Sequence, residues 1–376
     1  MTSHTLRVLL WNWGRKGAGP RYALQMAEAL DSRDDVSLSL SYSLQSDQVE
    51  AMRALGLPSL EVDTFDCIPT ALARSATLPS VRRRFKNFLK TNEVDIVYCT
   101  MMHPWDRFMI PAIHAVGASH VVTVHERRRD LGFPSSVLQR MADREVLHAD
   151  GVVVLTDNVK NDLDRRLNGL SPTVVIPLAA FHFPGHTRQS GGDSDILRVL
   201  FLGRIVPYKG LALLLEAIEL IASLGDSRIE LTIAGAGSLE PYSASLSHLP
   251  GTRVINEWLT EQQISDLLRQ ADVIAVPYVD ASQSGVIATA FGAGIPVVVT
   301  PVGGLVEQVT HGETGLVSSS LQARDFATAL LQLRDDPDLR HAMSARVVAL
   351  ARDDLSWAKS ASDLVSFLQA VRATSD

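Results

Sequence analysis

The sequence has few cysteines and no long apolar run. Cys67 and Cys99 are the only cysteines in 376 residues. Two are too few for a disulfide framework, and this pair lies too far apart for a Cys-x-x-Cys metal or redox motif. The apolar runs, such as 121–124 and 295–300, are much shorter than the roughly 20 residues that a membrane-spanning helix needs. We therefore expect a cytoplasmic protein without disulfides or membrane spans.

An excess of basic residues is also missing. The chain has 42 acidic and 35 basic residues, which gives a formal charge of −7. Proteins that bind nucleic acids usually carry a broad positive surface, so we expect no nucleic-acid partner. Any anionic ligand must find local positive charge. With 46% hydrophobic and 20% charged side chains, the chain is globular and long enough for two domains.

Short runs rich in Val, Ile and Leu alternate with segments of helical periodicity along nearly the whole chain. This alternation predicts βα units around parallel, buried strands, with six strands in each half. The predicted strands are Leu6 to Trp11, Val36 to Ser41, Asp95 to Cys99, His120 to Val124, Gly151 to Leu155, Thr173 to Pro177, Leu197 to Leu202, Ile229 to Ala234, Arg253 to Asn256, Asp272 to Val276, Val297 to Thr300 and Gly315 to Ser318. The predicted fold class is α/β, with two facing, doubly wound, Rossmann-like domains. Ligands of such sheets bind at the carboxyl ends of the strands, so we expect the site in a cleft between the domains.

One segment, residues 183–195, is dense in glycine, serine and charge and has no apolar period. We expect it to link an N-terminal domain of residues 1–182 to a second domain of residues 196–355. The remaining residues, 356–376, predict a final helix with one apolar stripe. We expect this helix to cross back to the first domain.

Two cations follow the first predicted strand of the second domain, Arg204 directly after the strand and Lys209 in the next loop. Arginine offers a planar fork of donors and lysine a compact charge, and both bind phosphate groups. Their position at the carboxyl end of a strand predicts a diphosphate site. The alternative is that both are solvated loop cations.

A second candidate for anion binding is the turn that contains Gln283, Ser284, Gly285 and Val286, where a helix begins after a strand. Unpaired backbone N–H groups and the positive end of the helix dipole attract phosphate at such a turn. The glycine lets a phosphate approach the backbone. Ser284 could also act as a helix cap alone, which needs no ligand.

The first domain offers a histidine and a glycine loop. His125 directly follows the predicted strand that ends at Val124, where it could donate to a sugar hydroxyl or take part in proton transfer. The alternative is a structural histidine. Gly17 and Gly19 follow the first strand, but Tyr22 occupies the third glycine position of a dinucleotide loop, so that fingerprint is incomplete.

Taken together, these residues resemble the family 4, or group 1, glycosyltransferases of the two-domain GT-B fold. The motifs that follow in the order of that family are 201–204, Pro207, 209–210, 235–237, 271–273, 277–278, 294–298, 303–304, Glu307 and 312–315. The resemblance implies that Gly235 and Glu307 belong to the donor site with the turn at Ser284. It also implies that the glycine loop lies near the acceptor and that His125 contacts the sugar.

The resemblance implies transfer of a sugar from a nucleotide diphosphate sugar to an acceptor, with retention of configuration at the anomeric carbon. Arg204, Lys209 and the helix start near Ser284 would stabilise the departing diphosphate, so no metal ion and no cofactor are expected. The expected partners are the nucleotide sugar and an acceptor whose class, a glycan, a lipid-linked or a small molecule, stays open.

The sequence departs from the family in one respect. Many members carry two glutamates separated by seven residues across the helix opening. Here, counting back from Pro296 gives Ala281 and Thr289, and counting from Gly285 gives Ser282 and Ala290. Neither pair supplies a carboxylate that could hold the hydroxyls of the donor. Two alternatives stay open, a nucleotide-sugar epimerase of the same fold and a non-catalytic nucleotide-binding partner of another transferase.

Two basic segments have alternative interpretations. Residues 81–90 place apolar side chains beside five cations, a pattern found in membrane-surface helices and in helices packed on a sheet. Because a strand follows immediately, we favour the packed helix over peripheral membrane contact. Arg15, Lys16 and residues 127–129 are interpreted as solvated surface charge, with recognition of an anionic acceptor as the alternative.

Overall fold

The structure is a computed structural model that describes residues 5–125, 135–183, 195–225, 227–249 and 251–375. The chain forms two units. The first unit comprises Met1–Pro177 with Trp357–Asp376, and the second comprises Leu178–Ser356.

The first unit is a parallel sheet with helices on both faces. Its elements are β1 (Leu6–Asn12), α1 (Ala18–Asp31), β2 (Val36–Ser43), α2 (Val49–Ala54), β3 (Ser59–Val62), α3 (Ile68–Ser75), α4 (Leu78–Thr91), β4 (Ile96–Met101), α5 (Asp106–His114), β5 (Ser119–Val124), α6 (Ser135–Leu147), β6 (Gly151–Val154), α7 (Asp157–Arg166), β7 (Thr173–Val175) and, at the end of the chain, α15 (Trp357–Ser375). In the described residues the sheet has seven strands, in the order β3-β2-β1-β4-β5-β6-β7. The order reverses direction between β1 and β4, which is the position where such sheets bind ligands.

Large aromatic side chains fill the core on one face of this sheet. Trp11 on β1 packs against Trp13 and against Phe85 on α4, with ring centroids 5.1 Å apart in both pairs. Val81, Phe85 and Leu89 of α4 are all buried in the same core. The apolar stripe of the basic segment therefore packs on the sheet, which supports the packed-helix interpretation and leaves this stripe unavailable to a membrane. No helix in the described part of the chain is long and apolar enough to cross a membrane.

The last helix belongs to the first unit. Trp357 at the beginning of α15 packs edge-on against Tyr22 of α1, with ring centroids 5.4 Å apart. Near its end, Arg372 forms an ion pair with Asp95, at an Nη1–Oδ1 distance of 3.0 Å. Asp95 also forms an ion pair with Arg7 of β1 at 3.0 Å. The helix is thus attached to α1 at its beginning and next to β4 near its end.

The second unit repeats the plan. Its elements are β8 (Leu197–Leu202), α8 (Leu211–Ser223), β9 (Ile229–Ala234), α9 (Ser243–His248), β10 (Arg253–Ile255), α10 (Glu261–Gln270), β11 (Val273–Val276), α11 (Gly285–Gly292), β12 (Val297–Val299), α12 (Leu305–Gln308), β13 (Gly315–Val317), α13 (Ala323–Asp335) and α14 (Pro337–Arg352). In the described residues the sheet has six strands, in the order β10-β9-β8-β11-β12-β13. All strand pairs are parallel. The predicted α/β class with two doubly wound units is confirmed.

All twelve predicted strands are present, with ends that differ by at most two residues. The sequence analysis missed β3, a short strand with the burial pattern of an edge. The units divide at 177/178, earlier than the predicted boundary at 182/183, because the N–H groups of Ala180 and Phe181 bond to the carbonyls of Leu355 and Ala288 in the second unit. Most of the predicted linker, residues 184–194, lies outside the described residues.

Candidate functional site

The ammonium of Lys209 lies directly over the backbone of Gly203, at the carboxyl end of β8. A β-carbon added to Gly203 would be 2.7 Å from Lys209 Nζ and 3.6 Å from Val286 Cγ2. Lys209 ends a short 3₁₀ turn, Pro207–Lys209, whose backbone is fixed by a hydrogen bond from Val279 N to Tyr208 O of 2.8 Å. Two loops of the sheet thus bring a cation and the first turn of α11 to one point.

The ring of Tyr278 packs next to the ammonium of Lys209. Lys209 Nζ lies 5.1 Å from the centroid of the Tyr278 ring, within the range of a cation–π interaction. Tyr278 is 3% exposed, and its hydroxyl is 3.4 Å from Ser284 Oγ. The sequence analysis did not assign this residue to the site. The signal that could have found it is its position directly after Pro277, where β11 has ended.

Gly235, a predicted donor residue, lies beside Gly203 at the end of β9. Gly203 N donates to Ala234 O at 2.9 Å, and a β-carbon on Gly235 would be 2.1 Å from Gly203 O. The φ angle is 111° at Gly203 and 146° at Gly235, and residues with a side chain disfavour both values. The pair keeps the backbone at these two strand ends free of side chains.

Ser284 caps α11. Its Oγ accepts a hydrogen bond from Val286 N at 3.2 Å, and the side chain is buried. This is the capping geometry that the sequence analysis considered as an alternative, and it uses the hydroxyl within the protein. The N–H of Gly285 has no hydrogen-bond partner among the described residues. Gly285 therefore offers a free amide at the beginning of this helix.

Gln308 on α12 holds the same turn and was missed by the sequence analysis. Its Oε1 accepts from Ser284 N at 2.7 Å, and its Nε2 donates to Ser284 O at 3.3 Å. The neighbouring Glu307, a predicted donor residue, is exposed. The sequence offers no signal for choosing Gln308 over Glu307, because only the direction of a four-residue helix decides which side chain reaches the turn.

Two other predicted residues carry free polar atoms. Gln283 is partly buried, and its Oε1 is buried without a hydrogen-bond partner among the described residues. Arg204 is exposed at the end of β8, and no hydrogen bond or ion pair joins its side chain to another described residue. The exposed guanidinium of Arg204 is therefore available to a ligand, whereas the Oε1 of Gln283 is buried.

In the first unit, His125 directly follows β5. Its Nε2 is 2.6 Å from the carbonyl oxygen of Thr100, and its ring packs edge-on against Tyr22, with centroids 5.2 Å apart. Burial lowers the pKa of His125, although the hydrogen bond to Thr100 acts in the opposite direction. Because a carbonyl oxygen only accepts, Nε2 carries the proton and Nδ1 of the neutral ring is an acceptor.

The glycine loop lies at the end of β1. Gly17 precedes α1, and its N–H donates to Asp47 Oδ2 at 3.0 Å. A β-carbon on Gly19 would be 2.0 Å from Met101 Cε, so this glycine lets the first turn of α1 pack on the end of β4. Asn12 Nδ2 donates to Thr100 Oγ1 at 2.9 Å. This bond links the end of β1 to β4, where the carbonyl of Thr100 accepts the hydrogen bond of His125. Gly17, Gly19 and His125 are therefore neighbours in one unit, whereas residues 127–129 lie outside the described residues.

The two groups of residues have different chemical abilities. In the second unit, an ammonium, an exposed guanidinium and a free amide at a helix start form an electropositive region at the strand ends. In the first unit, a neutral histidine presents a hydrogen-bond acceptor. The first group is suited to an anion such as a diphosphate, and the second to a hydroxyl group.

Comparison with known proteins identifies the family of the second unit. Residues 197–336, which carry the Lys209 and Ser284 region, match the protein family described as glycosyl transferases group 1. The D-inositol 3-phosphate glycosyltransferase of Corynebacterium aurimucosum is 30% identical to the chain over 280 residues. Residues 197–336 therefore belong to the group 1 glycosyltransferases. The match spans 69% of this chain and 65% of the Corynebacterium protein, just under two thirds of its length.

Solved structures show that the chain has the GT-B fold. Anabaena HepE, solved in complex with UDP, has a TM-score of 0.76 and 15% identity, with 97% of this chain and 100% of that chain covered. Sucrose-phosphate synthase from Thermosynechococcus elongatus has a TM-score of 0.75 and 16% identity, with 98% and 100% covered. At these identities the likeness concerns the fold, and the chemistry depends on the residues above.

Proposed function

We propose that this protein transfers a sugar from a nucleoside diphosphate sugar to an acceptor, with retention at the anomeric carbon and without a catalytic metal ion. The observation that carries the proposal is the position of Lys209 Nζ over Gly203, beside the first turn of α11. A cation and a helix start directed at one point of a strand edge match the charge of a diphosphate. Membership of residues 197–336 in the group 1 glycosyltransferases and the UDP complex of Anabaena HepE support the same donor class.

Departure of the diphosphate is the step that these residues assist. As the bond between the anomeric carbon and the leaving oxygen breaks, negative charge grows on the diphosphate while the sugar gains oxocarbenium character. Lys209, Arg204 and the amide of Gly285 stabilise that negative charge, and they do so without reorganising because the turn is held by Gln308. This is the role that a divalent ion plays in metal-dependent transferases.

His125 takes part as a neutral group in this proposal. Its Nε2–H is used by the carbonyl of Thr100, so Nδ1 accepts a hydrogen bond from a hydroxyl of the donor sugar. The hydrogen bond to Thr100 fixes the orientation of the ring. A fixed acceptor at the end of β5 orients the sugar, whereas a charged imidazolium has no acceptor nitrogen.

The test is calorimetric titration with UDP, GDP and ADP in buffer without divalent ions. We expect one nucleotide to bind, and Arg204→Ala to lower the turnover with the corresponding sugar nucleotide by about 10²-fold or more. The acceptor screen starts with D-inositol 3-phosphate, because the Corynebacterium relative is named for that substrate. Equal rates with and without added Mg²⁺ or Mn²⁺ are expected. A requirement for one of these ions would refute the metal-independent mechanism.

The same experiment separates the alternatives. A nucleotide-sugar epimerase would convert the donor in the absence of an acceptor, and it would need acid and base groups at the sugar. Between positions 280 and 300 the only carboxylate belongs to Asp280. A non-catalytic partner would bind the nucleotide and transfer nothing. Anomeric NMR of the isolated product decides whether the configuration is retained.

A further inference from the structure

A buried cluster of metal-binding side chain types lies in the first unit. Cys99 on β4, His120 on β5 and Glu145 on α6 each offer one ligand atom, and these atoms lie within 4.8 Å of one another. The residues are 1%, 0% and 9% exposed. Nothing in the glycosyl transfer proposed above uses them.

The register of the sheet explains why the cysteine and the histidine meet. β4 and β5 are parallel neighbours in which Val97 pairs with His120 and Cys99 with Val122. Since side chains two residues apart share a face of a strand, Cys99 and His120 point to the same face. Glu145 comes to this face from the helix that precedes β6. The three residues are separated in sequence by 21 and 25 positions, so no spacing motif reveals them.

His120 is the member that points to a ligand. Its ring is fully buried, yet neither Nδ1 nor Nε2 has a hydrogen-bond partner among the described residues. Buried polar side chain atoms in proteins nearly always have a partner. A neutral imidazole has a free lone pair, which is the form that binds metal ions.

The charges of the cluster favour a divalent cation. Asp106 Oδ2 is 3.6 Å from Cys99 Sγ and offers a fourth ligand atom beside the cysteine. With the thiolate of Cys99 and the carboxylates of Glu145 and Asp106, a doubly charged ion changes the net charge of the cluster from −3 to −1, which lowers the cost of burying these anions.

We propose that Cys99, His120 and Glu145 bind a structural Zn²⁺ ion, with Asp106 as the fourth ligand. Sulfur, imidazole and carboxylate ligands in a four-coordinate site are typical of zinc. On binding, the thiol of Cys99 releases its proton to solvent as the sulfur–zinc bond forms. The ion would join β4, β5, α5 and α6 in the core. It has no part in the transfer reaction, because His120 is near the beginning of β5 whereas His125 follows its end.

The test measures metal in the purified full-length protein. We expect about one zinc per chain by mass spectrometry. Replacement by Co²⁺ should give a thiolate-to-cobalt charge-transfer band and the visible d–d bands of a tetrahedral site. The variants Cys99→Ala and His120→Asn should lose both signals. Cys67→Ala, at the exposed second cysteine, is the matched control and should keep them.

Thermal unfolding gives a second readout that does not depend on activity. Adding Zn²⁺ to the metal-free wild type should raise its Tm, and it should leave the Tm of Cys99→Ala unchanged. Should a variant fail to fold, Glu145→Gln and the metal content of the wild type still decide the question. Wild-type protein that binds no more zinc or cobalt than Cys99→Ala, or a charge-transfer band that Cys67→Ala abolishes, would overturn the proposal.

Discussion

Lys209 Nζ occupies the space into which a side chain on Gly203 would project, 2.7 Å from the β-carbon position of that glycine. The absence of a side chain at one strand end therefore allows the cation from the next loop to lie against the backbone. Because the same position is 3.6 Å from Val286 Cγ2, the ammonium is next to the helix start as well.

Gly203→Ala should displace Lys209 and weaken nucleotide binding by about tenfold, which corresponds to about 1.4 kcal/mol. The added methyl group meets the ammonium, and the φ of 111° at this position disfavours alanine in any case. Gly225→Ala is the matched control, since Gly225 has a positive φ of 75° with no atom within 4 Å of the added carbon. Calorimetry with the nucleotide that binds the wild type measures both. An equal loss of nucleotide affinity in the two variants would mean that backbone strain, and not displacement of Lys209, weakens binding.

Ser284→Ala should lower the free energy of unfolding by about 1 kcal/mol and also weaken nucleotide binding, because the cap fixes the first turn of α11. Thr260→Ala provides the comparison. Thr260 caps α10 through a bond from Gln263 N of 3.3 Å and is exposed. Thr260→Ala should lower the free energy of unfolding by a similar amount and leave nucleotide binding unchanged. Denaturant unfolding and calorimetry on the same preparations give the two quantities, and unchanged binding in Ser284→Ala would remove the helix start from the site.

The pH dependence of turnover should reflect the neutral state of His125. Burial lowers its pKa, so the ring stays neutral until the pH falls below the ordinary histidine value of about 6.5. Protonation then removes the acceptor at Nδ1, and kcat should fall on the acid side with a midpoint below that value. His125→Gln should lose this acid limb, whereas His148→Gln, at an exposed histidine, should retain it. An acid limb with a midpoint above 6.5 would contradict the neutral role.

Acid should weaken the attachment of the last helix through Asp95. Burial alone would raise the pKa of Asp95, but the hydrogen bonds and charges of Arg7 and Arg372 hold it below its usual value. A lowered pKa in the folded state stabilises the protein above the unfolded value of about 3.8, and this contribution is lost as the pH falls through the folded pKa.

Asp95→Asn should therefore lower the free energy of unfolding by about 2 kcal/mol at pH 7, and the difference from the wild type should shrink below pH 3.8. Urea unfolding at several pH values measures it. Glu93→Gln removes the exposed partner of Arg7 and should have little effect, since its side chain is 74% exposed. A difference that stays constant down to the lowest pH would show that the carboxylate charge is not involved.

Most of the strands were predictable because a buried parallel strand requires an apolar run, as in β8 and β11. β3 was missed because a four-residue edge strand buries only half of its side chains and carries no such run. Lys209 and the turn at Ser284 were predictable as candidates, since both follow strand ends. Gln308 was not, because its contact with Ser284 joins residues 24 positions apart through the direction of a short helix.

The sequence by itself determined the fold class, the family resemblance and which loops carry cations, because these depend on local apolar periodicity and on residues next to strand ends. Only the tertiary structure decided which side chains meet. The approach of Val286 to Lys209 at Gly203, the contact of Gln308 with Ser284 and the cluster of Cys99 with His120 all depend on the order and register of strands that are distant in sequence. Strand order and register follow from how whole faces of the sheet pack, and no local pattern encodes that packing.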